Sequence, residues 1–523
     1  MIFTTLNFLI FFVIVFFIYY LVPKKFRWIV LLLASIYFYV ASSPKYIIYV
    51  LISSFITYLG ARIITKLDDD NRKNIESKSE EIPKEIKKIL KKGLARKKKT
   101  VIVITIIGAL SMLVVMKYTG FILENISRIY NIIGFDFKGP AWNIILPIGI
   151  SFYTFMSIGY AIDVYRGEYP AEKNFFKYFL YISYFPHVLQ GPIDSYKDLS
   201  EEFNKPKSFN YEETVQGLSR VGIGLIKKMV IADKIAPVVR GVITGIDGYF
   251  GKNIIIAIVL YAIELYADFS GYMDIAIGCS RMLGIKLTEN FDSPYFSKSI
   301  AEYWRRWHMS LGAWFRDYVY YPLLRSKRAE KIRKYYKESN NKFLANNMPT
   351  VFALSILWIL IGFWHGSTWA FILYGMYHGL IIIISTLLSP LYTKFYKRFP
   401  KLVKTKIYGF FQICRTFCLV LIGYFLFVTG DLNIAAQMVK NMFLFGKNSI
   451  SLRAQTTFDF KISLLIGLII IFALDVLGYL KIDVYSKIRK LPIVIRWLIY
   501  ATGIFIIMML SSGEPQEFLY FKF

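Results

Sequence analysis

Charge is scarce in this 523-residue sequence. Only 19% of its residues are Asp, Glu, Lys or Arg, and acidic residues number 35 against 64 basic ones. So little charge cannot cover the surface of soluble domains adding up to this length, which excludes an ordinary soluble protein. Cysteine is nearly missing as well: Cys279, Cys414 and Cys418 lie in apolar segments and form no CxxC pair. That excludes a disulfide framework or a zinc knuckle, and Cys414 and Cys418, four apart on one helix face, read as buried thiols. Histidine is held to four positions, His187, His308, His365 and His378. Hydrophobic residues make up 56% of the chain and aromatic ones 18%, giving a mean hydropathy of +0.46.

The apolar residues come in long runs. Phe8–Val22, Ile29–Ala41, Ile47–Ile64, Val101–Met116 and Leu464–Leu480 approach or reach the roughly 20 residues that span a bilayer as a helix. The chain therefore reads as an all-α polytopic membrane protein, with about eleven to thirteen membrane-embedded segments, several of them short or broken. The first run lacks a basic n-region and a small-residue cleavage site, so it is expected to stay as a membrane helix. Organisation follows from the breaks: N-terminal membrane helices over 1–65, a charged cytoplasmic loop over 66–100, a core over 101–390, a basic loop over 391–407, further membrane helices over 408–511 and an aromatic tail over 512–523. A surface helix is expected around Pro83–Leu94. Tyr211–Leu225 is amphipathic and is expected to lie on the membrane or shallowly in it.

The net charge of +29 is confined to a few stretches, Lys66–Lys99, Arg325–Lys342 and Lys394–Lys406. The positive-inside bias and the anionic inner leaflet place such stretches in the cytosol, in contact with membrane lipid. No basic stretch sits in a recognisable nucleic-acid-binding fold, so no nucleic-acid partner is expected. A basic segment just ahead of the helix carrying His365 would also attract a polyanionic ligand.

Between Ile254 and His308 carboxylates interrupt the apolar pattern: Glu264, Asp268, Asp274, Glu289, Asp292 and Glu302. Charges at membrane depth face a partner or an aqueous cavity, so each is either functional or paired with Arg281, Arg305 or Arg306. His308 stands in Tyr303-Trp304-Arg305-Arg306-Trp307-His308-Met309-Ser310, ahead of Trp314-Phe315-Arg316-Asp317-Tyr318. His365 stands in Gly362-Phe363-Trp364-His365-Gly366. His365 and His378, thirteen apart, fall on opposite faces of a straight helix, so a shared metal would need a kink at Gly366, and no third ligand is evident; no metal site is expected. Imidazole in an apolar setting stays neutral, the form a general base needs, and the glycines beside His365 permit a helix break lining a pocket. From the residues alone, His365 reads equally as a base or as an ordinary core histidine.

Longer strings narrow the choice. Tyr266-Ala267-Asp268-Phe269-Ser270-Gly271-Tyr272-Met273-Asp274, Glu289-Asn290-Phe291, Tyr303–Asp317 with Tyr320-Tyr321-Pro322-Leu323, and Phe363-Trp364-His365-Gly366 run in order. So do Pro147–Tyr153, Asp163–Gly167 and Gly191-Pro192-Ile193. Together, over about residues 140–380, they resemble the bacterial membrane-bound O-acyltransferase (MBOAT) family, in its branch of alginate and peptidoglycan O-acetylating members. Leu324-Arg325 replaces an expected Gly-Gly, and Asp194-Ser195-Tyr196 is similar to the teichoic-acid D-alanylating branch.

The resemblance implies a helical bundle around a central funnel. It implies His365 as the catalytic histidine and His308 as the second active-site position. Trp304, Trp307 and Trp364, with Arg305, Asp317 and Asp268, would wall or position the site. It also implies an acyl group, acetyl above all, taken from a cytosolic thioester and passed across a bacterial cytoplasmic membrane to a surface polysaccharide. The donor, acetyl-CoA or an acyl carrier protein, is a substrate, and no tightly bound cofactor is expected. A secreted or membrane-anchored SGNH-type acetyltransferase is the expected partner. D-alanyl transfer to teichoic acid, lipid acylation, and a transporter or scaffold without chemistry are the alternatives. The C-terminal Phe518-Leu519-Tyr520-Phe521-Lys522-Phe523 reads as an interfacial aromatic belt, yet it also resembles short aromatic C-terminal motifs of surface-polymer acylation systems, which makes Tyr520 a candidate acyl relay.

Overall fold

The computed structural model describes residues 1–76, 83–135, 146–445, 449–452 and 456–511, together with 516, 518 and 519. Among them the secondary structure is helical, apart from one isolated antiparallel bridge between Phe291 and Trp307. Nine of the described helices are long and apolar enough to cross a bilayer, and α1 (Leu6–Leu21) is a shorter apolar one. The other segments expected in the membrane are shorter helices, such as Ile150–Arg166 and Phe175–Ser183.

Two compact units divide the chain. The first comprises Met1–Gly217 with Cys279–Thr288, and the second Leu218–Gly278 with Glu289–Phe523.

In the first unit, Thr5 caps α1 by accepting from the Phe8 N–H, and Pro23 and Pro44 bracket α2 (Arg27–Ser42). Next come α3 (Ile47–Glu76) and α4 (Lys84–Leu113), then α5 (Ile150–Arg166), α6 (Phe175–Ser183) and α7 (Tyr196–Asn204). The helix ends sort onto two sides. The Met1 ammonium donates to the Ala41 carbonyl, and the Tyr39 hydroxyl to the Ile148 carbonyl, grouping the start of α1, the end of α2 and the start of α5. At the opposite side Lys98 pairs with Asp68 at 2.7 Å and lies over the Tyr165 ring, while the Ala171 N–H donates to Thr65. That side carries the basic residues.

Three expectations need correction here. Most of residues 66–100 is helix, not loop: α3 runs on to Glu76, and the surface helix expected at 83–94 is the first part of α4. Once a helix is nucleated in the membrane, each further residue adds a hydrogen bond, and exposed pairs such as Arg72–Asp69 support the extension. The basic stretch 391–407 is likewise helical over Ser389–Arg398 and Pro400–Val403. Cys414 and Cys418 are exposed rather than buried, because their shared face points away from the protein; Cys279 is buried.

The second unit contains α8 (Lys252–Met282, whose last residues belong to the first unit), α9 (Ile300–Arg306), α10 (Met309–Phe315) and α11 (Lys327–Glu338). They are followed by α12 (Lys342–His365), α13 (Trp369–Leu387), α14 (Lys406–Thr429), α15 (Phe458–Tyr479) and α16 (Ile493–Leu510). Close contact of α12 with α13 depends on small residues. A Cβ on Gly375 would sit 2.3 Å from the Trp358 carbonyl oxygen, so only glycine lets the two backbones approach so closely.

Candidate active site

Two broken stretches of backbone build the site. The first runs from Asn290 to Phe315. The N–H of Asp292 donates to the Arg306 carbonyl and that of Met309 to the Asn290 carbonyl, so residues 290–292 lie antiparallel to 306–309. Between them His308 takes a left-handed conformation, φ 49° and ψ 52°, at the start of α10. A non-glycine residue there costs of order 1–3 kcal/mol and persists only where its surroundings impose it.

Those surroundings also set the state of the His308 ring. The Asn290 side-chain oxygen accepts from the Ser310 backbone N–H and from the Ser310 hydroxyl, both at 3.0 Å, and lies 3.3 Å from His308 Nδ1. The Asn290 NH₂ meanwhile points to Met273 Sδ at 3.3 Å. A backbone N–H can only donate, so the atom facing Ser310 and His308 is the amide oxygen. His308 Nδ1 must then carry the proton, and Nε2 becomes the basic nitrogen of the neutral ring. Phe269 meets that ring edge-on at 4.8 Å, and burial pushes its pKa down to about 3.

The second break ends α12. His365 is its last residue, and Gly366 continues extended at φ −172°. A Cβ on Gly366 would lie 2.2 Å from the Phe371 ring, so glycine is required by close approach. The helix break expected beside His365 is therefore present, and it changes the relation of the two histidines on this run. His365 and His378 are not on opposite faces of one helix: they sit on α12 and α13, and both contact the Tyr374 ring, at 5.7 and 4.7 Å.

Trp364 joins the two breaks. Its indole lies 5.7 Å from the His308 ring and 4.8 Å from the His365 ring, and Phe427 closes on His365 at 5.1 Å. Both histidines are buried. The structure thus brings His308, Trp364 and His365 together. Trp307 is buried, stacked on Tyr303 and edge-on to Phe269 and Phe291.

Other positions singled out in the sequence go elsewhere. Trp304 packs on Trp358 and His378. Arg305 is exposed, and Asp317 pairs with Arg316 at 3.0 Å. Asp268 belongs to a buried ionic cluster: its Oδ1 lies 2.6 Å from Lys228 Nζ, which also meets Asp233 at 2.8 Å. Asp268 Oδ2 accepts from the backbone N–H of Leu519 at 2.9 Å, Phe518 is fully buried, and the Lys228 ammonium sits 4.1 Å from its ring. At Phe518 and Leu519, then, the tail is packed inside the second unit rather than spread in a headgroup belt. Tyr520 lies outside the described residues.

Of the cations expected to pair with the carboxylates of this region, Arg306 does so, with Glu302 and Asp292, while Arg281 serves Glu213. Asp274 finds two that sequence reading passed over, Arg220 and Lys227, at 3.0 and 2.7 Å. Arg220, Lys227 and Lys228 stand at Tyr211–Ala232, where a wide π-type turn over Ile226–Ala232 turns two consecutive lysines to different carboxylates. Asn290 was quoted only as part of a string, and nothing in its spacing announces a contact with His308.

The profile of the membrane-bound O-acyltransferase family matches residues 170–428, which contain both breaks. Among curated proteins, a probable alginate O-acetylase of Pseudomonas putida is 33% identical over 441 residues, covering 79% of this chain and 82% of that one. A peptidoglycan O-acetyltransferase of Helicobacter pylori is 30% identical over 67% of this chain and 66% of its own length. A teichoic acid D-alanyltransferase of Bacillus subtilis is 29% identical over 55% and 70%. With nine helices among the described residues fit to span a bilayer, two buried histidines set at backbone breaks and this extent of likeness, the chain is a multi-pass membrane acyltransferase and belongs to the membrane-bound O-acyltransferase family.

Proposed function

We propose that this protein transfers an acetyl group from a cytosolic thioester, through a bacterial cytoplasmic membrane, toward hydroxyls of a cell-surface polysaccharide, alginate-like or peptidoglycan. The observation that carries the reading is that two buried histidines, each at a break in the helical backbone, both contact Trp364. The likeness to alginate and peptidoglycan O-acetylating enzymes supports the choice of group and polymer class.

In this reading His365 is the general base. Its ring nitrogen takes the proton of an acceptor hydroxyl as the oxygen attacks the thioester carbonyl carbon; the C–S bond breaks, and the imidazolium returns the proton to the departing thiolate. His308, with Nε2 as its basic nitrogen, positions the acceptor. Trp364, Trp307 and Phe427 exclude water. The thioester leaves readily, so the protein contributes mainly proximity and proton transfer. The donor is acetyl-CoA or an acyl carrier protein, and a secreted SGNH-type acetyltransferase completes the transfer outside. Tyr520 is the relay residue of this proposal. Its phenol would take the acyl group as an ester, and the burial of Phe518 with the Leu519 amide on Asp268 anchors the residues just before it.

Mass analysis of envelope polymers from a deletion strain complemented with wild type, His365→Ala or Tyr520→Phe tests the scheme. Loss of polysaccharide acetyl groups is expected with both variants at normal protein levels. Full acetylation with His365→Ala would overturn the assignment, and full acetylation with Tyr520→Phe would remove the relay alone. D-alanyl transfer is the second reading, favoured by the likeness to a teichoic acid D-alanyltransferase. Loss of D-alanyl esters instead of acetyl esters would select it.

A further inference from the structure

The basic side of the first unit holds an open cleft of about 520 Å³, lined by Lys24, Lys25, Lys177, Lys205 and Lys207 around Trp28 and Phe203. Five ammonium groups share it, and among the described residues no carboxylate lines it. Lys205 and Lys207 are paired from outside, with Glu201 at 3.3 Å and Glu202 at 3.1 Å. Lys177 is held by neutral groups, donating to the Asn204 side-chain oxygen at 2.9 Å and lying 5.8 Å from the Trp28 ring. Lys24 and Lys25 occupy the one turn between α1 and α2.

This arrangement is built rather than draped. Arg27, buried, donates to the Lys207 carbonyl at 2.7 Å and ties the α1–α2 turn to the stretch following α7. The α1–α2 turn and the stretch after α7 are thus joined by a contact that involves no ammonium group, while the Lys177 ammonium itself reaches Asn204 at the end of α7. Like charges collected around one cavity repel one another, and an anion with several acceptor oxygens relieves that repulsion. Trp28, half-buried at the edge of a membrane helix, adds an amphipathic ring where headgroups begin.

We propose that this cleft binds the phosphate of an organic phosphoester at the inner face of the membrane, with Lys24, Lys25 and Lys177 on the phosphate oxygens and Trp28 against the neighbouring carbon skeleton. Two sources share that chemistry: the headgroup of an anionic phospholipid in the inner leaflet, and a soluble nucleotide-type phosphoester such as coenzyme A. The site does not depend on the acetyl-transfer reading, because its test reads binding and not turnover.

The full-length protein would be placed in nanodiscs of phosphatidylcholine alone or with phosphatidylglycerol, and coenzyme A titrated into the phosphatidylcholine discs. Tryptophan emission is recorded for wild type and for Trp28→Phe, and bound lipid is counted by native mass spectrometry. Saturable binding that perturbs Trp28 is expected from one source. Lys24→Gln combined with Lys25→Gln should weaken it about 25-fold, taking about fivefold per lysine near an anionic surface. Lys91→Gln with Lys92→Gln, two exposed lysines of α4 on the same side, should leave it unchanged. Phosphatidylglycerol binding identifies a headgroup site, and coenzyme A binding in neutral discs a soluble-ligand site. Binding of neither ligand, or equal loss in the α4 control, overturns the proposal.

Discussion

Two buried clusters of the second unit face the same problem and solve it in opposite ways. Around Lys228 the protein buries charge and pairs it: one ammonium holds two carboxylates, at 2.6 and 2.8 Å, with all three side chains at most 2% exposed. Around His308 and His365 it buries groups able to carry charge and surrounds them with rings, Phe269, Trp364, Tyr374 and Phe427. A fixed ion triad orders structure, because each charge is satisfied in one geometry only. A neutral imidazole in an aromatic wall keeps the basic nitrogen that proton transfer needs. The first cluster thus suits a structural clamp, the second a reactive site.

Breaking the histidine side of this contrast should give the largest effect. His365→Ala is expected to lower acyl transfer by about 10²–10⁴, the span that a positioned general base contributes, with the protein still inserting and eluting as a single species. Breaking the other side should act on stability instead. Lys228→Met leaves Asp268 and Asp233 buried with no cation between them, a loss of about 3–5 kcal/mol. Thermal unfolding in detergent measures it. Lys228→Met combined with Asp268→Asn and Asp233→Asn should recover much of the loss. A Lys228→Met protein as stable as wild type would mean that the triad is not a clamp.

The contrast also separates what the sequence makes legible from what it hides. Long apolar runs predict α1 and α2 closely, since one window of residues holds all the information a membrane helix needs: Phe8–Val22 in the reading is Leu6–Leu21 in the structure. Trp364-His365-Gly366 is legible for the same reason, its glycine marking a break. The partners of Asp268 and Asp274 are not. They lie 40 and 47 residues away in Lys228 and Lys227, just past the end of the amphipathic stretch Tyr211–Leu225, and a π-type turn has no signature in spacing. The polar end of α3 escaped for a different reason, because charged residues of good helix propensity look like loop when hydropathy alone is followed; the helix expected around Pro83–Leu94 is present, but as the start of α4.

A sharper probe is Asn290, which acts on His308 without reaching the reacting atoms. Asn290→Ala removes the acceptor of the Nδ1 proton and frees the ring to take the other tautomer. Acyl transfer should fall about tenfold or more through kcat, with KM little changed. Asn290→Asp keeps the acceptor and adds a negative charge beside a ring whose pKa burial holds at about 3. The charge favours the imidazolium, so His308 should protonate at higher pH, and the acid limb of the pH–rate profile should shift upward. An unshifted profile would detach Asn290 from the histidine.

The smallest effect expected is a pH dependence of stability within the charged cluster. Burial pushes the Asp233 carboxyl up from 3.8 to about 6, the Lys228 ammonium beside it pulling the other way. With the folded pKa above the unfolded one, protonation favours the folded protein. The stabilisation is complete below about pH 4 and fades as pH rises through 6. From this group alone, the unfolding temperature should be higher at pH 5 than at pH 7.5. Asp233→Asn, which imitates the protonated carboxyl at every pH, should flatten that difference and raise stability at pH 7.5. If the slope between pH 5 and 7.5 survives in Asp233→Asn, the proton sits on another group, and the cluster carries its full negative charge throughout that range.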